Sequence, residues 1–159
     1  GSNINPKNNL RSAISKLNDH GKVLEVSSVW ETKPLGNLNQ PNYLNVIILF
    51  NTSLEAKTLK FNCIKPIEDS LGRKRSTLDP YCPRTIDIDI MLFNNDIITI
   101  GHKRIPNNEI FERDFIAICL AEIAPDYVHP ETHQTISEIA STFNITSHIT
   151  THNDIITLK

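Results

Sequence analysis

Residues 83–93 read Pro-Arg-Thr-Ile-Asp-Ile-Asp-Ile-Met-Leu-Phe, and no other stretch restricts the fold of this chain as strongly. Ile86, Ile88, Ile90 and Leu92 alternate with Asp87, Asp89 and Met91, the period of two that a strand shows when one face is buried. Asp87 and Asp89 then project to the same side, since a strand repeats on one face about every 6.5–7 Å. Two like charges at that spacing favour a cation between them. Oxygen-only ligands on a rigid strand suit Mg²⁺, which takes one or two carboxylates and completes its shell with water and substrate phosphate.

A phosphate site must be built locally, because the net charge is only −2 and the chain as a whole is no polyanion binder. Arg73, Lys74, Arg75 and Arg84 flank the loop that leads into the aspartates. Cations and carboxylates converging on one cleft are what metal-assisted phosphoryl transfer needs. The same residues are compatible with a solvated basic loop whose cations simply pair with the aspartates, and the residues alone leave both readings open. Glu68 supplies a further carboxylate to such a cleft or lies on a solvated helix face. Thr32, Pro34, Leu35, Gly36, Tyr43 and Asn45 combine an aromatic ring, a side-chain amide and kinked backbone. Such a set can stack on and hydrogen-bond a flat heterocycle, or form an ordinary surface loop with a strand-edge tyrosine.

At 159 residues the chain suits a single domain with a substantial core. Cys63, Cys82 and Cys119 are odd in number and lack CxxC spacing, which argues against a disulfide framework or a zinc knuckle and fits a reducing cytoplasm. No apolar run approaches the roughly 18–20 residues of a membrane span, and no basic-then-apolar leader is visible. No aromatic pair sits on a basic strand, so nucleic acid is not an expected partner. The expectation is a cytoplasmic monomer without membrane or nucleic-acid partners. His129 and His133 have Pro130 between them, so they are read as structural and not as a helical metal pair.

In chain order the pattern predicts a helix over residues 9–17 ended by Gly21, a strand over 23–32, and a loop over 33–42. A strand over 43–51 follows, then a helix from Leu54 to about Leu71 that Ser53 caps, Gly72 closes and Pro66 kinks. Asn94, Asn95 and Asp96 read as a hairpin turn after Phe93 into a strand over 97–100. A polar loop over 101–108, helices over 109–123 and 136–143, and a strand-like segment over 154–158 complete the chain. These elements suggest an α+β sandwich with helices on one face of a mostly antiparallel sheet.

Gly72-Arg73, the Pro83 to Ile90 run, Pro34-Leu35-Gly36, the Gln40 to Asn45 segment and Arg113-Asp114-Phe115 together resemble the 6-hydroxymethyl-7,8-dihydropterin pyrophosphokinase family of folate biosynthesis. The likeness runs from Gly1 to about Ile139. It implies a ferredoxin-like α+β fold and transfer of the β,γ-pyrophosphoryl group of ATP to the pterin hydroxymethyl oxygen, releasing AMP. It further implies that Asp87 and Asp89 hold two Mg ions and that Arg73 and Arg84 contact phosphates as catalytic groups. Thr32, Leu35, Gly36, Tyr43, Asn45 and Phe115 would form the pterin pocket, with Phe115 stacking on the ring and Asn45 bonding its edge. Glu68, Arg75, Ile90 and Arg113 would lie on the nucleotide side, and the loops over 73–82 and 33–39 would close as lids.

The chain departs from the family where Pro106-Asn107 replaces Pro-His, and where the loop before Pro83 ends in Pro80-Tyr81-Cys82. Relatives also carry an apolar strand just before the Gly-Ser-Asn segment, central in a ferredoxin-like sheet, for which residues 154–158 are a candidate substitute. Residues 144–159 extend beyond the family's usual end. Two rivals remain: another Asp-x-Asp transferase that releases ADP or pyrophosphate, and a non-catalytic nucleotide-binding relative.

Overall fold

A computed structural model describes residues 1–36, 38–74 and 82–144, and the backbone of 150–151. Arg75, the loop over 75–81 and the segment over 154–158 lie outside the described residues. The first helix, α1 (Pro6–Leu17), buries Leu10, Ala13, Ile14 and Leu17, the stripe its spacing predicts. It starts three residues earlier than the apolar pattern, because Pro6 sits in the first turn, where no amide hydrogen is needed.

The two long strands expected over 23–32 and 43–51 are each broken in two. β1 (Lys22–Val26) pairs with β4 (Ile48–Asn51), and β2 (Trp30–Thr32) pairs with β3 (Tyr43–Asn45), all antiparallel but in separate sheets. Ser27 is the cause. Its hydroxyl donates to the Ser28 carbonyl at 2.9 Å and accepts from the Ile47 amide at 3.0 Å, so a side chain replaces part of the ladder. The backbone of β7 (Thr150–Thr151) adds to the other edge of β2.

The expected helix over 54–71 runs through α2 (Ala56–Thr58), a π-helical turn (Leu59–Ile64) and α3 (Lys65–Ser70), with Glu55 rather than Ser53 at its N-cap. The wide turn directly precedes Pro66, whose ring would otherwise crowd the carbonyl of Asn62 in a regular helix. Gly72, at φ +77°, ends the helix in a Schellman arrangement: its amide donates to the Asp69 carbonyl and that of Arg73 to the Glu68 carbonyl, both at 3.0 Å. The motif fixes where Arg73 leaves the helix.

Residues 86–93 form no strand ladder among the described residues, contrary to the expected strand. The Gly1 amino group donates to the Asp87 carbonyl, and the Asp87 amide donates back to Gly1, each at 2.8 Å. Ser2 bridges Leu44 on its other side. Gly1 and Ser2 are thus wedged between β3 and the aspartate run. Past them, residues 46–50 and 86–93 line the same cleft. The turn at Asn94 leads to β5 (Ile98–Ile100), which pairs not with 86–93 but with β6 (Lys103–Ile105), so the hairpin turns at Gly101 and occupies part of the expected polar loop.

The last helical region also divides. α4 (Glu109–Glu112) and α5 (Asp114–Ile123) are separated by Arg113 in extended conformation, and α6 (Ile136–Ser141) begins with a capping box of Thr135 and Glu138. Helices α1 and α3 and the π turn share one core with Val29, Leu44 and Ile86, whereas α4, α5 and α6 share another with Trp30. Neighbouring strand residues point into different cores: Ile48 and Phe50 join the first and Ile47 the second. The helices therefore pack into two cores. Cys63 and Cys119 are buried free thiols, one in each core. Burial raises both and pushes Cys119 up to about 12, so neither is a thiolate nucleophile at neutral pH. Among the described residues no helix is long and apolar enough to cross a membrane.

His129 is 1 % exposed, edge-on to Phe111, with Nδ1 accepting from the Glu131 and Thr132 amides and no partner for Nε2. Burial lowers its pKa, outweighing Glu131. The folded state thus binds a proton less readily than the unfolded chain, and stability present above the unfolded value of about 6.5 is lost as pH falls below it, by at most about 1.4 kcal/mol per pH unit. Thermal unfolding between pH 7.5 and 5.5 should show a steeper loss for the parent than for His129→Gln; parallel slopes would remove His129 as the cause.

Candidate active site

One cleft of about 2110 Å³ gathers nearly all the residues singled out above. Thr32, Leu35, Tyr43, Asn45 and Phe115 line it, as do Glu68, Arg73, Arg84, Asp87, Asp89, Ile90 and Arg113. Gly36, at φ +76°, follows Leu35 but does not line the cleft, and Arg75 lies outside the described residues. The volume exceeds the roughly 300–1,000 Å³ of a small-molecule site because the cleft continues between residues 46–50 and 86–93 into apolar surface.

The two aspartates have different partners. Asp87 is held by the Arg84 guanidinium through Nη1 to Oδ2 and by Arg73 Nη2 at 3.4 Å from Oδ1. Burial alone would raise its pKa, but Arg73, Arg84 and the Gly1 amino group together hold it below the usual carboxylate range. Asp89 lies 3.7 Å from Lys60 Nζ and 3.5 Å from Lys103 Nζ. Neither lysine stands out in the sequence; Lys60 lies on the π turn and Lys103 opens β6, so only folding brings them to Asp89.

Between the aspartates, Ile88 is fixed from both ends of its peptide links. Its amide donates to Glu68 Oε1 at 2.8 Å and its carbonyl accepts from Lys60 Nζ at 2.7 Å. Glu68 is 2 % exposed, so it is no solvated helix carboxylate. The Arg73 side chain is largely covered, and its Nε and Nη1 have no hydrogen-bond partner among the described residues. Unpaired buried guanidinium donors are costly unless an anion meets them.

Asn3 ties the loop over 33–42 to this centre, a role the spacing does not reveal. Its Oδ1 accepts from the Arg84 amide at 2.7 Å, while its amide nitrogen donates to Gln40 Oε1 at 2.9 Å and to the Pro41 carbonyl at 3.1 Å. On the apolar side, Asn45 Nδ2 donates to Thr32 Oγ1 at 2.9 Å and to the Trp30 carbonyl at 3.4 Å, which leaves Oδ1 as its acceptor. Burial raises the pKa of Tyr43, so its phenol stays protonated. The Arg113 guanidinium lies over the Phe115 ring at 4.6 Å and reaches Glu109 at 3.3 Å. Asn107 accepts from the Glu109 amide at 3.0 Å through Oδ1 and donates its own amide to the Met91 carbonyl at 2.9 Å, just ahead of Asn108 at the N-cap of α4.

Among the described residues no cluster of three or more His, Cys, Asp or Glu side chains can hold a metal. Two carboxylates lining a cleft with orphaned guanidinium donors still fit Mg²⁺, which needs only one or two protein carboxylates when phosphate supplies other ligands.

The family model for 7,8-dihydro-6-hydroxymethylpterin-pyrophosphokinase (HPPK) matches residues 1–125. The chain belongs to this family. It is 34 % identical over 139 residues to the 2-amino-4-hydroxy-6-hydroxymethyldihydropteridine pyrophosphokinase of Aquifex aeolicus, covering 87 % of this chain and 85 % of that protein. To the Haemophilus influenzae enzyme of the same name it is 34 % identical over 146 residues, covering 90 % of this chain and 89 % of the relative. The Bacillus subtilis enzyme is 38 % identical over 126 residues, covering 77 % and 74 %. This pyrophosphokinase therefore places its Asp-x-Asp run, two arginines and the Asn45–Thr32 pair on one cleft, with an α+β architecture of small antiparallel sheets and helices.

Proposed function

We propose that this pyrophosphokinase transfers the β,γ-pyrophosphoryl group of ATP to the hydroxymethyl oxygen of 6-hydroxymethyl-7,8-dihydropterin, with two Mg ions, releasing AMP. The observation that carries the reading is that Asp87, Asp89 and the orphaned donors of Arg73 line the same cleft as Asn45 and Phe115. Asp87 and Asp89 hold the two ions, which when bound neutralise charge on the polyphosphate. Arg73 and Arg84 are placed to take phosphate oxygens once Asp87 is shared with metal. Asn45 Oδ1 accepts from a ring N–H of the pterin, and Phe115 offers the flat apolar contact. The oxygen–β-phosphorus bond forms as the bond from that phosphorus to the AMP oxygen breaks and the hydroxyl proton passes to solvent, so catalysis rests on positioning and charge neutralisation. Glu68, Arg75, Ile90 and Arg113 serve the nucleotide side.

The enzyme acts as a cytoplasmic monomer in a single domain with a ferredoxin-like sheet.

Product analysis with Mg-ATP and 6-hydroxymethyl-7,8-dihydropterin tests the reaction. AMP formed only when the pterin is present supports it; ADP as the nucleotide product would replace it with ordinary kinase chemistry. Asn45→Ala should raise the pterin KM by about 10- to 100-fold while changing kcat less, the loss expected for a polar contact made before and during the reaction. An unchanged KM in steady-state kinetics would remove Asn45 from the pocket.

A further inference from the structure

We propose that Lys60 and Lys103 act as stand-in cations that hold Asp89 when no divalent ion is bound and move to the nucleotide's phosphates when one arrives, so that metal binding at Asp89 depends on nucleotide. The proposal rests on the phosphoryl-transfer reading above and adds two positioning residues to it.

The contrast between the aspartates carries the argument. Asp87 is gripped by two guanidiniums, planar and pre-set for a carboxylate, whereas among the described residues Asp89 meets only ammonium groups, compact charges on flexible stems. One lysine approaches each oxygen, Lys60 at Oδ1 and Lys103 at Oδ2, at 3.7 and 3.5 Å. These are longer than the roughly 2.7–2.9 Å of a tight charge-assisted hydrogen bond, so both contacts neutralise without locking. A cavity of about 10 Å³ lies among Lys60, Asp89 and Lys103, lined further by Ile90, Ile100 and Ile105, the scale of a single small occupant.

Lys60 Nζ also donates to the Ile88 carbonyl at 2.7 Å, a contact it gives up when it moves to the phosphates. Both lysines also line the main cleft. Two ammonium groups and a divalent ion cannot crowd one carboxylate without mutual repulsion. A divalent ion alone must therefore displace them with nothing to receive their charge, whereas a polyphosphate arriving with the ion takes them up. The result is a coupling between nucleotide and metal set by these two side chains.

The test measures Mn²⁺ binding by electron paramagnetic resonance, without nucleotide and with a non-hydrolysable ATP analogue, for the parent, Lys60→Met, Lys103→Met and Asp89→Ala. Each lysine variant should bind Mn²⁺ alone about 5-fold or more tightly than the parent and bind the Mn²⁺–analogue complex more weakly, shrinking the coupling factor. A purely structural lysine would shift thermal stability and leave Mn²⁺ affinity unchanged or lower. Equal or weaker Mn²⁺ affinity in both variants overturns the proposal. Lys103, whose side chain is 39 % exposed, decides the matter if Lys60→Met does not fold. If the parent binds the Mn²⁺–analogue complex no better than Asp89→Ala, the phosphoryl-transfer reading itself fails; if it binds normally and the lysine variants match it, only the stand-in role does.

Discussion

Asp87→Ala and Asp89→Ala are each expected to lower AMP formation by on the order of 10³-fold or more, about 4 kcal/mol of transition-state stabilisation, because each removes a carboxylate proposed to hold a metal ion and for which the described site has no substitute. The two variants should then separate in stability. Removing the Asp87 carboxylate leaves the Arg73 and Arg84 guanidiniums close together without the anion between them, and the Arg73 side chain is only 9 % exposed. A loss of about 1–3 kcal/mol is expected for uncompensated, largely buried charge. At Asp89 the partners are lysines that can turn to water, and the stability change should stay within about 0.5 kcal/mol. Steady-state AMP assays and urea unfolding check both parts. Retention of a tenth of parental turnover by Asp87→Ala would sink the assignment of that residue to the reacting centre.

Glu68→Ala is expected to cost about 2–4 kcal/mol in urea unfolding, the range for losing a charged acceptor and stranding a buried amide. The amide is that of Ile88, the residue between the two aspartates, and it has Glu68 Oε1 as its acceptor at 2.8 Å. Loosening that peptide displaces both carboxylates together. The kinetic effect should therefore fall on kcat by about 10- to 100-fold more than on the ATP KM, since small misplacements of positioned groups are costly. Glu68→Gln keeps an acceptor oxygen at the same reach and should recover most of the stability. An alanine variant within 0.5 kcal/mol of the parent would show that Glu68 does not brace the run, and a pure KM effect would return it to direct nucleotide contact.

Much of the site could be read before folding because its signals are local. Gly72 at the end of an apolar helical pattern announces a left-handed turn, and the Schellman bonds that follow set Arg73 on the cleft. Two aspartates two residues apart in an alternating run share a side wherever the backbone is extended, even though residues 86–93 form no strand ladder among the described residues. The loop over 33–42 was legible from its prolines, glycine and amides. Less legible were the element breaks. Ser27 interrupts two strands through hydrogen bonds to residues 1 and 20 positions away, and Arg113 divides a helix whose apolar pattern runs straight through it. The strand expected over 154–158 and the role of Arg75 fall outside the described residues.

By itself the sequence determined the α+β class, the Asp-x-Asp run, the arginines that flank it and the kinship to the pyrophosphokinase family, because periodicity, glycine conformation and charge spacing act within a few residues. Tertiary structure alone decided that Glu68 and Lys60 brace Ile88, that Lys60 and Lys103 meet Asp89, and that Asn3 joins Arg84 to the loop at Gln40 and Pro41. Those contacts join residues 14 to 81 positions apart, and no local pattern encodes which distant side chain will satisfy a buried amide or charge.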